Sequence, residues 1–154
     1  MTQKLLAGLM VLGFTGTVLA ADPFAGTWHL NVAQSTFAAG MEVKESTVVI
    51  AEQAANLSVT AKGISAAGPL SVTYTLPMQG GALAYTEGAP ASGATVVIER
   101  VDANTIDSTS TLNGKEVGTT HAVLSADGKT LTRVVKGMDA QGKAYTNTEV
   151  YTRQ

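Results

Sequence analysis

From residue 24 onward, apolar and polar side chains alternate in short runs, and the first run is the cleanest. Phe24, Gly26, Trp28, Leu30 and Val32 share one parity, and Ala25, Thr27, His29 and Asn31 the other. That period belongs to a strand with one buried face. It places the chain's single Trp inside, beside a Gly that lets another backbone approach closely. Including this run, 24–33, the same period predicts strands over 43–52, 56–62, 70–77, 82–86, 94–101, 104–112, 115–125, 130–137 and 143–153. No stretch after residue 20 has helical periodicity.

Turn chemistry separates the runs: Gly68-Pro69, Pro77 to Gly81, Gly88 to Gly93, Asp102 to Asn104. Asn113-Gly114-Lys115, Asp127-Gly128-Lys129 and Gln141-Gly142-Lys143 follow one another at intervals of fourteen residues. Asn-Gly and Asp-Gly supply the positive φ angles of tight hairpins. Consecutive hairpins make an antiparallel meander, and closing it removes its exposed edges. The expected fold is therefore all-β: an antiparallel up-and-down barrel of eight to ten strands, the first pairing with the last. A two-sheet β-sandwich is the alternative, because hairpins alone do not specify closure.

Residues 1–20 read as a cleavable export signal. Lys4 gives the positive start, Leu5 to Leu19 is apolar, and Val18-Leu19-Ala20 fits cleavage after Ala20. A membrane anchor would need about 20 unbroken apolar residues. The expected protein is an unanchored monomer, residues 21–154 forming one domain, periplasmic or extracellular after cleavage. The chain has no Cys, which excludes a disulfide framework, a zinc–thiolate site and a Cys nucleophile. Net charge is −2, without a run of Lys or Arg, so no nucleic-acid partner is expected. Charged residues are only 14%, against about 25% on average; Ala, Gly, Ser and Thr take their place.

The run Phe24-Ala-Gly-Thr-Trp-His-Leu-Asn-Val-Ala-Gln-Ser-Thr-Phe37 resembles the opening strand of the calycins, the lipocalins and intracellular fatty-acid-binding proteins. The end, Thr148-Glu149-Val150-Tyr151-Thr152-Arg153, is similar to their closing strand, where Arg-x-Tyr holds a ligand carboxylate. The likeness covers about twenty-five residues at the two termini. It implies a lipocalin-like barrel around a small apolar or amphipathic ligand. Ala38 to Val43 leaves room only for a short loop, so no helical lid is expected. The family's Arg is replaced by Glu149, so carboxylate binding does not carry over.

The resemblance implies that Trp28 plugs the closed end under an Arg of the last strand, with Arg153 suitably placed and Gly26 part of the same floor. The other reading of Trp28 is a ligand contact. Two parities compete around Arg133: with Leu131 and Val135 inside it would meet Glu149, whereas Val134 and Thr132 inside would leave it in solvent. A buried charge requires a partner. His29 falls on the polar parity, while His121 shares parity with Val117 and Val123 and is a candidate lining residue. Leu70, Val72, Tyr74 and Leu76 form an apolar face, and Ser108, Ser110 and Tyr151 would add hydroxyls. Two His without clustered acids give no metal site and no cofactor is expected. No Ser–His–acid set, Gly-x-Ser-x-Gly elbow or converging carboxylate pair is found, and no enzymatic activity is expected. The expected function is binding of a small apolar or amphipathic molecule; the rival is a solid-core barrel acting through its outer surface. A cavity of at least ~300 Å³ separates the two.

Overall fold

Alternation bounded by positive-φ turns produces consecutive hairpins, as the computed structural model shows for the described residues, 21–139 and 141–154. The expected export signal lies outside them. The strands are β1 (Gly26–Leu30), β2 (Val43–Gln53), β3 (Asn56–Ser65), β4 (Gly68–Pro77), β5 (Gly81–Ala82) and β6 (Ala84–Glu87). They continue as β7 (Ala94–Asp102), β8 (Thr105–Leu112), β9 (Lys115–Leu124), β10 (Thr130–Met138) and β11 (Ala144–Arg153). All pair antiparallel in one sheet, ordered β5-β7-β8-β9-β10-β11-β1-β2-β3-β4-β6. First and last strands do pair, with Trp28 opposite Arg153 and Leu30 opposite Tyr151. No helical lid is present among the described residues; the only helical turn there is a three-residue 3₁₀ segment, Val32–Gln34.

The barrel is nearly closed, by a single segment. Residues 82–86, expected as one strand, divide at Leu83: β5 pairs with β7 and β6 with β4. The Leu83 amide donates to the Val96 carbonyl at 2.9 Å. This split is why eleven strands replace the expected eight to ten. The two ends of the sheet are thus neighbours in sequence, and a sandwich is ruled out.

Local departures have local causes. The first strand stops at Leu30 rather than residue 33, because the Asn31 side chain accepts from the Gln34 amide at 3.2 Å and starts the 3₁₀ turn. Val32 is consequently exposed, although its parity put it inside. Asn113 (φ 50°) and Gly114 (φ 79°) are both left-handed, as a two-residue hairpin between β8 and β9 requires.

One end of the barrel is a solid floor. Trp28 is fully buried, and its indole Nε1 donates to the Phe24 carbonyl at 2.9 Å. The Arg153 guanidinium lies 4.2 Å from the Trp28 ring and donates to the carbonyls of Gly128, Ala25 and Pro23 at 2.7, 2.5 and 2.5 Å. Gly26 (φ +147°) makes room for that guanidinium, into which any Cβ would collide. The close approach allowed by this glycine is thus by a side chain and not, as expected, by another backbone. Arg100 repeats the device: it pairs with Asp22 at 3.0 Å and sits 5.0 Å from the Phe24 ring. Two arginines therefore fasten residues 22–25 across the floor.

Candidate functional site

Above the floor the register stacks the interior in rows. Leu124, Leu131 and Tyr151 are partners across β9, β10 and β11, and the next row is Ala122, Arg133 and Glu149. On β8 the same two-residue step gives Ile106 opposite Ala122 and Ser108 opposite Thr120. Across the barrel, Val59 faces Tyr74 and Leu57 faces Leu76 on β3 and β4. Large apolar residues thus fill the floor-side row, while Ala, Ser and Thr line β8 and β9 higher up.

The small residues leave space. A cavity of about 310 Å³ lies inside the barrel, with Leu57, Leu76, Ile98 and Ile106 at its apolar end. Tyr74, Tyr85, Ser108, Ser110, Thr120, Arg133 and Tyr151 add polar groups to its wall. Trp28 does not line it, which leaves the indole a floor residue.

Arg133 faces inward, on the parity of Leu131 and Val135. Its Nη1 donates to Glu149 Oε2 at 3.0 Å, and the Tyr151 hydroxyl donates to the same oxygen at 3.3 Å. The Glu149 side chain is 12% exposed and that of Arg133 34%, the latter opening onto the cavity it lines. Burial works against the Arg133 charge, but the Glu149 carboxylate and the Tyr151 and Tyr74 phenols outweigh it and hold its pKa above the ordinary value. Among the described residues, Glu149 takes one N–H of this guanidinium at 3.0 Å and the Tyr151 hydroxyl lies beside it, which leaves further N–H groups facing the cavity.

Three phenols surround this pair. Burial raises the pKa values of Tyr74 and Tyr151 above 10.0, with the Arg133 charge lowering and the Glu149 charge raising them. Burial also raises that of Tyr85, helped by Tyr74 and opposed by Arg133. The Tyr74 and Tyr85 rings are tilted by 50° with centroids 5.4 Å apart, a favourable aromatic geometry.

Of the residues singled out from the sequence, Val72, Tyr74, Leu76, Ser108, Ser110, Arg133 and Tyr151 meet at the cavity. Two do not. Leu70 keeps the inward parity but lies beyond the cavity, lining a more polar groove with Lys44, Lys62 and Ser71 near the opposite end. His121 points outward, its Nδ1 2.5 Å from Asp107 Oδ1 and its side chain 55% exposed. The interior parity of β9 is carried by Thr120, Ala122 and Leu124, which are opposite in phase to Val117 and Val123. Sequence reasoning missed Val48, Val59, Leu83, Tyr85, Val96 and Thr120 as lining. A usable signal existed for Leu83 and Tyr85: both share the parity opposite to Ala82 and Ala84. Among the described residues no group of His, Asp and Glu is arranged to hold a metal ion.

Comparison with protein-family models, curated proteins and solved structures gives no match to this chain.

Proposed function

We propose that this chain is an exported binding protein for one small apolar or amphipathic molecule, held in the barrel cavity. The cavity carries the reading. Its volume of about 310 Å³ sits at the lower end of the 300–1,000 Å³ typical of small-molecule sites. Its wall has the usual mixture, mostly apolar with a few placed polar groups. The calycin-like opening and closing strands agree with this role, and the apolar leader ending Val18-Leu19-Ala20 agrees with action in the periplasm or outside the cell.

Native mass spectrometry of the protein purified from its own host tests the proposal. A retained small-molecule mass, lost when Tyr74→Ala removes the ring that faces both Arg133 and Tyr85, supports a carrier. A clean apo mass, with no response to a panel of apolar fluorescent probes, rejects it in favour of an interaction protein working through its outer surface.

A further inference from the structure

Resting on the carrier reading, we infer that the ligand is a small uncharged amphiphile whose carbonyl or hydroxyl oxygen accepts from Arg133, and that Glu149 sets this preference by excluding carboxylates. Beside the cavity, Arg133 and Glu149 form a cation–anion pair in direct contact, Nη1 to Oε2 at 3.0 Å. That pair is already neutral. A ligand carboxylate entering beside it would leave a net negative charge inside the barrel wall, where an uncompensated charge is costly. A neutral oxygen carries no such penalty. It can take the guanidinium N–H groups that face the cavity, while the Ser108, Ser110 and Thr120 hydroxyls on the wall offer further donors or acceptors.

The rows also orient the molecule. Leu57, Leu76, Ile98 and Ile106 form the floor-side end, so the apolar part points toward Trp28 and the polar atom away from it. A space of about 310 Å³ selects a short molecule over a long-chain lipid.

Calorimetric titration of the intact, leader-free protein at neutral pH with 2-octanone, 1-octanol and octanoate tests this directly, since the chain length is shared and only the head differs. The neutral probes are expected to bind at least tenfold more tightly than octanoate. Glu149→Gln, which keeps the shape and removes the charge, should then raise octanoate affinity at least tenfold. Octanoate binding as tightly as the neutral probes overturns the inference and leaves the carrier standing, and this wild-type comparison stands even if the variant does not fold. A folded Glu149→Gln protein with unchanged octanoate affinity also overturns it. Failure of all three probes to bind overturns the carrier reading and this inference together.

Discussion

Arg153 and Arg133 both lie inside this barrel, and they are used in opposite ways. At the floor, Arg153 gives hydrogen bonds to three backbone carbonyls and stacks 4.2 Å from Trp28. Every part of it is committed to structure. In the cavity, Arg133 gives one, to Glu149, and keeps a third of its side chain open to the interior space. The difference follows from the neighbours. Around Arg153 the chain offers bare carbonyls, a glycine without a side chain and a broad indole face; around Arg133 it offers Ala122, Thr120 and Ser108, which are too small to fill the space. One end is sealed by saturating a cation, the other kept receptive by leaving one partly unsaturated.

The sharpest way to break the comparison is to weaken the floor. Trp28→Ala removes a fully buried indole, its hydrogen bond to Phe24 and the ring beneath Arg153. The expected loss is ~3–5 kcal/mol, the usual cost of truncating a buried aromatic. Urea unfolding checks it: a loss below about 1 kcal/mol would mean that the indole is not part of a packed floor.

How much of this the sequence discloses also divides between the two regions. The floor was legible, because Phe24, Gly26 and Trp28 alternate cleanly and Arg153 falls opposite Trp28 once the first and last strands pair. The cavity was legible on β4, where Val72, Tyr74 and Leu76 stand against Ser71, Thr73 and Thr75. It was misleading on β9. There the larger apolar residues, Val117 and Val123, sit on the parity of the exposed His121, while small Thr120 and Ala122 face in. A hydrophobic pattern locates a filled core, and an interior kept open by small residues contradicts it. Arg133 stayed ambiguous for a related reason: Val134 and Val135 are equally apolar, and only the register that sets Arg133 opposite Glu149 decides between them.

Alkaline pH should separate the two regions by a smaller effect. Tyr74, Tyr85 and Tyr151 all line the cavity, and burial first of all raises their pKa values above 10.0 in the folded protein. A folded-state value above the unfolded one stabilises the fold fully below the unfolded value, near 10, and that contribution is lost as pH rises through the folded value. Stability from this source should therefore be constant up to about pH 10 and fall beyond it. Phenolate absorbance and denaturant midpoints, measured together, check the sign. Hydrogen exchange locates the effect: β4 should lose protection before the Trp28 strand does. Simultaneous loss in both would mean that floor and cavity melt as one unit.

The smallest effect should come from His121→Ala. The imidazole contacts Asp107 at 2.5 Å, but the two side chains are 55% and 46% exposed on the outer face of β8 and β9. An exposed polar contact of this kind is worth at most about 1 kcal/mol and surface substitutions are usually within about 0.5 kcal/mol, so the stability change should stay inside that range. The interior comparison adds a second requirement. His121 lies outside the barrel wall, whereas its neighbours Thr120 and Ala122 line the cavity, so its removal should also leave probe affinity unchanged. Parallel urea melts and calorimetric titrations with 2-octanone test both halves. A weakened probe affinity in a variant of unchanged stability would place His121 at the site after all, and would mean that the parity of β9 is reversed.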